Sequence, residues 1–435
     1  MSQDKHTKYR PRTHRFYIKH THPYYTKLRE MTHASKNLFN QALYKTKQSY
    51  LNKQGLLNQS TLCQLLKDTE DYKNLQRYNS QLPQSTIKLV VETTNSFKGS
   101  MKAYLQKPES FLGKPRFPRY KPKQGHSPLY FSYQAIQIKN NYIHINSCGL
   151  HFPIPQYLAG IQKKTTPNQQ LNGKEPSLLE LVQLRIIPKQ QEFQVDLVYE
   201  KEITLYQQNP PEPITRVASI DLGINNLATL VTTLPNTNPL LINGRHLKSY
   251  NKQFNKKLAN LKSKAMVCNQ QYTTRQINLL HQRRNKYFNT KMHQIASYLT
   301  NYLATNKIQL LIIGYNPTWK QESKLSKLTN QTFIQIPYLK LIQILKYKLE
   351  ELNITVIETE ESYTSGTSFL DDELPTKQNY NKNRRIYRGL FQANQKQLIN
   401  ADVNASYQII KKQNQSFKKA WIPNPRFFNP IKVTI

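Results

Sequence analysis

The sequence predicts an α+β multidomain chain: a β module with a helical insertion up to about residue 205, then a mixed α/β layer domain. Three observations predict it. Apolar stripes at three- and four-residue spacing run through residues 28–105. Short alternating runs bounded by turn residues fill 129–199. Beyond Val217, two adjacent β-branched runs are followed by helix and strand patterns in alternation. A length of 435 residues suggests two to four domains and is ample for a large core.

Taken in order, Phe16-Tyr17-Ile18 is a short strand-like run among basic residues, and Pro23 suits the first turn of a helix. Leu28, Met31, Leu38, Phe39, Ala42 and Leu43 carry that helix to about Tyr50, and a polar, Asn/Gln-rich segment follows. A second helix starts near Pro83 with the stripe Ile87, Val90, Val91, Thr94, Phe97, Met101 and Leu105, and stops before Pro108. The prolines of Gly113–Lys123 forbid helix, and its cations alternate with aromatics. Such a loop suits phosphate contact and base stacking, through Lys114, Arg116, Arg119 and Lys121, or it is a solvated charged linker. Strands are expected at Tyr130-Phe131, Ile136 to Ile138, Tyr142–Ile145, Leu181–Ile187 and Phe193–Tyr199, forming a small barrel or sandwich. The Pro-rich stretch Gln207–Pro213 reads as a linker.

Val217–Val231 reads as two strands joined by a tight turn, with Gly223 supplying a positive φ or a close backbone approach. Residues 247–305 are helical and very basic, with Lys252, Lys256, Arg283 and Arg284 among the cations. Ile308–Ile313 reads as a buried strand, Phe333–Leu352 as a helix and Ile354–Ile357 as another strand.

Charge narrows the partner. Lys and Arg number 63 against 25 Asp and Glu, a formal net charge of +38. Nucleic acid is the default partner of such a surplus, because bound cations release the counterions of fixed phosphates. No apolar run approaches the roughly 20 residues of a membrane span, so no membrane partner is expected. Three scattered cysteines, Cys63, Cys148 and Cys268, form no CxxC pair and no disulfide framework, which predicts a reducing, cytoplasmic setting.

Carboxylates are scarce, so their placement carries weight. Asp221 ends the first strand of the central hairpin, where it is either an Asx-type turn cap or a cation ligand. Glu358, Glu360 and Glu361 stand at the end of the 354–357 strand, and Asp402 opens a helix after Asn400. Asp402 taken alone is a helix N-terminal carboxylate, and the glutamates are surface charges. Together, acids at three sheet or helix ends of a basic chain point to a divalent-cation site acting on phosphodiesters.

Ser219–Ile224, Leu311–Glu322, Phe333–Tyr338, Thr359–Phe369 and Asn400–Ala405 resemble, in order, blocks of TnpB, the transposon-encoded RNA-guided DNA endonuclease family, and Gly113–Tyr120 resembles its N-terminal half. The resemblance implies a wedge β-barrel with an inserted helical recognition domain, followed by a RuvC-like, RNase H-type nuclease domain. It maps 1–22 and 113–213 to the wedge, 23–112 to recognition, and 214–435 to the nuclease with a basic helical insertion at about 247–305. It implies Mg²⁺ or Mn²⁺, a guide RNA from the element's end, double-stranded DNA cut beside a short motif, one chain per guide RNA, and a prokaryotic, nucleoid-associated setting. Asp221, Glu361 and Asp402 become the catalytic and metal-binding acids.

Two departures from that family stand out. TnpB usually carries its catalytic Glu at the end of the strand that here reads Leu310 to Ile313, and this chain has Gly314 there. Some branches look as though the carboxylate has moved to the later position. Strand alternation from Ile357 selects Glu361 over Glu360, while Glu322 falls in a polar connection. Where the family often has paired CxxC motifs, 370–397 holds no cysteine, so no zinc is expected. The rival readings are a nuclease-inactive RNA-guided DNA binder, for which Gly314 argues, and a DNA-strand transposase, which the order Asp, Glu, Asp disfavours.

Overall fold

The computed structural model describes residues 4–164, 178–207, 214–316, 335–421 and 425–435. The chain divides into two compact units, Thr7–Ile203 and Thr204–Ile435 with Met1–His6. Among the described residues no helix is long and apolar enough to cross a membrane.

The first unit opens with β1 (Asp4–Lys19) and four helices, α1 (Tyr25–Leu51), α2 (Gln59–Leu66), α3 (Glu70–Gln76) and α4 (Gln81–Gln106). Then come β2 (Leu129–Ser132), β3 (Gln137–Lys139), β4 (Tyr142–Ile145), β5 (Leu150–Pro153), β6 (Gln162–Lys163), β7 (Leu179–Pro188) and β8 (Glu192–Gln207). One sheet has the order β1-β8-β7-β2 with β6 also on β7, and a second has β3-β4-β5. Hydrogen bonding closes neither sheet into a ring among the described residues.

Two elements differ from the sequence reading. β1 is far longer than Phe16–Ile18, because pairing with β8 extends it through residues with no apolar alternation. The polar segment after α1 holds two short helices. Leu62, Leu66, Tyr72 and Leu75 are buried while Leu65 is exposed, and Asn58 caps α2 by accepting from the Thr61 amide at 2.9 Å.

The basic loop 113–123 has no regular structure, but its last residues are fastened to α1. The Asn40 side chain bonds both ways with the Lys121 backbone, at 2.8 and 2.9 Å, and Lys36 donates to the Lys123 carbonyl at 2.8 Å. Phe117 packs against Tyr50 and Phe97. This leaves Lys114, Arg116 and Arg119 exposed, whereas the Lys121 ammonium lies 4.5 Å from the Phe39 ring centre.

The second unit holds one six-stranded sheet. Its strands are β9 (Val217–Leu222), β10 (Asn226–Thr232), β11 (Leu240–Asn243), β12 (Leu310–Gly314), β13 (Thr355–Thr359) and the late β16 (Ile431–Val433). Their order is β13-β12-β9-β10-β11-β16. β9, β10 and β11 are antiparallel neighbours, while β12 runs parallel to β9 and β13 parallel to β12. The helices are α5 (Arg245–Asn269), α6 (Arg275–Thr305), α7 (Tyr338–Glu350) and α8 (Ala401–Gln413). A small hairpin, β14 (Leu390–Gln392) with β15 (Leu398–Asn400), precedes α8.

Alternation sorts the sheet's faces. Ala218, Ile220, Leu230, Leu311 and Ile313 bury with Ile295 and Leu299 of α6 and Leu341 and Leu345 of α7. The opposite face carries Ser219, whose hydroxyl donates to the Ser406 carbonyl of α8 at 2.6 Å, and Ser406 in turn donates to the Thr229 carbonyl at 2.8 Å. Asp221 shares that face with Ser219 by the period of two. Gly223 follows with the close approach expected of it: a Cβ there would lie 2.6 Å from the Asn226 carbonyl oxygen.

The segment between β13 and α8 is held by Arg384. It donates to both oxygens of Glu373 at 2.7 Å and pairs with Asp371, all three side chains being 20% exposed or less. Phe369 stacks on Tyr407 at 4.3 Å beside Phe417. Removing one partner of a desolvated pair strands the other charge. Arg384→Met should therefore cost about 3–5 kcal/mol, read from denaturant or thermal unfolding. A loss under about 1 kcal/mol would place this network with ordinary exposed ion pairs.

Candidate active site

Asp221, Glu361 and Asp402 line one cleft of about 900 Å³ in the second unit. Three different elements deliver them. Asp221 comes from β9, on the α8 side of the sheet. Asp402 sits in the first turn of α8, where Asn400 caps the helix by accepting from the Asp402 and Val403 amides at 3.0 and 3.2 Å. The cap is Asn400, so the Asp402 carboxylate is free for other partners. It accepts from Asn226 at 2.8 Å through one oxygen and from Arg385 at 3.0 Å through the other.

Glu361 arrives two residues beyond β13. Thr359 of that strand faces α8, its hydroxyl accepting from Gln413 at 2.7 Å, while Glu358 turns to the α7 side and pairs with Lys346 at 2.6 Å. Alternation thus carries Glu361 to the Asp221 face. Glu360 is 59% exposed and pairs with Lys412 at 3.5 Å. Tyr363 takes a left-handed φ of 70° just after Glu361, turning the chain away. Glu322 lies outside the described residues.

Gly314 meets the same point. β12 pairs with β9 so that Ile312 stands opposite Ser219, which puts Gly314 on the α8 face. A Cβ built at Gly314 would lie 3.2 Å from the Glu361 Oε2. Glu361 thus reaches over the strand end that lacks an acid of its own.

The electrostatics are those of an acidic cluster only partly offset by Arg385 and Lys412. Burial, then the neighbouring Glu361 and Asp402 carboxylates, push Asp221 well above its ordinary value, with Arg385 opposing. Burial pushes Glu361 up to about 7, against the pull of Lys412. Its Oε2 is buried without a hydrogen-bond partner. A buried, partnerless carboxylate oxygen beside a like-charged neighbour fits a cation-binding role. Among the described residues, no three His, Cys, Asp or Glu side chains stand close enough to share one ion; here both Asp402 oxygens are taken by Arg385 and Asn226.

Sequence reasoning missed the cationic rim. Arg245, Arg385, Arg388 and Lys432 line the same cleft from three separate places in the chain. Only their spatial convergence distinguishes them from the other basic residues. Tyr338, within the helix expected at 333–352, has a further role: its hydroxyl donates to the Gly223 carbonyl at 2.8 Å, bracing the turn beside Asp221. Lys252, Lys256 and Arg283 are exposed on α5 and α6. Arg284 is engaged instead: it donates to Asn251 at 2.8 Å and to the Gln335 carbonyl at 2.7 Å and stacks on Phe288.

Glu361 and Asp221 are both shifted up, so the folded chain holds protons that the unfolded chain has already released. In the metal-free protein the contribution of these two groups to stability is fully present below the ordinary carboxylate values and is lost as pH rises toward about 7. Glu361→Gln should flatten that decline, with Asp221 leaving a remainder. Thermal melts with a chelator at roughly pH 5 and pH 8 check this, and equal declines in both proteins would remove Glu361 from the cluster.

Two family models match the chain in succession. One, described as Probable transposase, covers residues 194–320, and the other, Cas12f1-like, TNB domain, covers 338–409. They cover Ser219–Ile224, most of Leu311–Glu322, Thr359–Phe369 and Asn400–Ala405 among the blocks that resemble TnpB, in the same order. Over these residues the chain is similar to the TnpB family. No curated protein matches it significantly. Among solved structures, this chain is similar to a Cas12f1–sgRNA–target DNA complex seen by cryo-EM, at 12% identity, 91% of this chain, 98% of that one and a TM-score of 0.36. It is also similar to a CRISPR-Cas12f ternary complex, at 13% identity over 88% of this chain and 80% of that one, TM-score 0.36. A third likeness is to an AacC2c1–sgRNA binary complex, at 9% identity over 84% and 62%, again with a TM-score of 0.36.

Proposed function

We propose that this chain is an RNA-guided, Mg²⁺-dependent DNA endonuclease of a transposable element, cutting double-stranded DNA beside a short motif. One observation carries the reading: acids from β9, the β13 exit and α8 converge on a single cleft rimmed by four cations. In this reading the second unit is the RuvC-like nuclease domain. The order β13-β12-β9-β10-β11, with three antiparallel strands and two parallel additions on the β9 side, is that of an RNase H-type sheet. The first unit contains the wedge strands and the helical recognition segment, which bind the guide scaffold and the motif beside the target.

Asp221, Glu361 and Asp402 are the residues that would hold the metal, with Asp402 exchanging its Arg385 or Asn226 contact for the ion. Bound Mg²⁺ supplies charge neutralisation and activation of the attacking water at a phosphodiester. Arg385, Arg388, Arg245 and Lys432 draw the phosphate backbone into the cleft. Arg385 also fixes one oxygen of Asp402. The exposed Lys114, Arg116 and Arg119, with Lys252, Lys256 and Arg283, bind phosphates away from the cleft.

The deciding experiment is to sequence the RNA that co-purifies with the chain and then offer matching DNA with Mg²⁺. Cleavage confined to matched DNA supports the reading. If the chain with its own guide binds but does not cut in either Mg²⁺ or Mn²⁺, it is a nuclease-inactive RNA-guided binder.

The basic residues have their own test. Neutralising Lys114, Arg116 and Arg119 together should weaken nucleic-acid binding across all sequences and flatten its salt dependence by about one unit of slope per lost contact. An unchanged slope would return the loop to the role of a solvated linker.

A further inference from the structure

We propose that His144 and His151, on the exposed face of the β3-β4-β5 sheet, form a two-imidazole site for a late first-row divalent cation such as Cu²⁺ or Ni²⁺. The site is separate from the acidic cleft and lies wholly in the first unit. The two residues stand directly opposite each other across the β4–β5 pair. Their rings are 4.9 Å apart, with the Nδ1 atoms 3.0 Å apart. Two nitrogens about 2.1 Å from one ion and at right angles to each other are themselves about 3 Å apart. That spacing suits the cis positions of a square-planar or octahedral ion better than a tetrahedral one.

A second contact sets the tautomer. The Nε2 of His144 lies 3.2 Å from the Lys139 carbonyl oxygen. A carbonyl only accepts, so Nε2 carries the proton and Nδ1 presents its lone pair toward His151. Metal-ligating histidines are commonly fixed in this way, with the far nitrogen donating to a backbone carbonyl. In the metal-free chain the His151 Nδ1–H donates to the His144 Nδ1. On binding, the His151 proton moves to its own Nε2, and both Nδ1 lone pairs become ligands. The exchange needs no co-reactant and no change of net charge on the protein. Water fills the remaining positions, because the described residues bring no third His, Cys, Asp or Glu to the pair.

The test uses the full, untagged chain in excess Mg²⁺, which keeps the acidic cleft supplied with its own class of ion. Titration with Ni²⁺ and with Cu²⁺ should show one equivalent bound by wild type and lost in His144→Asn and in His151→Asn, and the Cu²⁺ spectrum of wild type should show two-nitrogen ligation. Unchanged melting of the metal-free variants would confirm that they are folded. Retention of the equivalent in both variants, or a wild-type spectrum without nitrogen ligation, overturns the proposal. A His144→Asn that binds as wild type while His151→Asn does not would leave an ordinary single surface histidine, and would overturn it equally.

Discussion

Asp221→Ala and Asp402→Ala should each lose guided DNA cleavage by roughly a thousandfold or more, since metal-held charge stabilisation is worth several kcal/mol of barrier. Guide RNA and target DNA should still bind nearly as in wild type. The structure explains why the fold should survive both changes. Asn400, not Asp402, caps α8, so removing the carboxylate leaves the helix start intact. Asp221 is pushed up by burial and by two like-charged neighbours, so its removal relieves repulsion rather than breaking a favourable pair. Cleavage assays beside equilibrium binding and melting curves check all three expectations. Asp402→Ala cutting as fast as wild type would overturn the assignment of the cleft.

Glu361→Gln should show the same pattern, with cleavage lost and binding kept, while Glu358→Gln stays active because Glu358 faces Lys346 on the other side of the sheet. The pairing of Gly314 with Glu361 allows a sharper test. A carboxylate restored at Gly314 would project into the space that Glu361 fills, but its Cβ would also lie 2.5 Å from the Ile409 Cδ1. Gly314→Glu in the Glu361→Gln background should therefore rescue little alone and more when Ile409→Ala makes room. If neither combination restores any cleavage while both proteins fold and bind, the two positions do not serve one metal. If Glu361→Gln is itself fully active, the third acid lies elsewhere.

Much of the second unit could be read from the sequence, because its period-two and helical patterns are strong. The runs Val217–Leu222 and Asn226–Thr232, the strand ending at Gly314 and the helix opening at Ala401 all stand where the residues placed them. β11, β14, β15 and β16 escaped notice because strands of three or four residues carry too little alternation to separate from loop. The same brevity hid α2 and α3. The acids were found because carboxylates are rare in a +38 chain. The opposite held for Arg385 and Arg388: among 63 cations, nothing local marks the ones that turn toward the cleft. Arg284 shows the converse. It sits in a basic helical run, yet its partners Asn251 and Gln335 lie 33 and 51 residues away, so no local pattern identifies it as a packing residue.

α8 is enclosed on nearly every side: of its residues from Val403 to Lys411, all are buried, and its serine is stitched to two strands. A helix so enclosed has no soft direction in which to tilt. Asp221 and Asp402 are accordingly the stationary jaw of the cleft. Glu361 hangs from an edge strand, beyond its last hydrogen-bonded residue and just ahead of a left-handed turn. In the proposed endonuclease, the adjustment that an entering strand of DNA demands would fall to that second jaw.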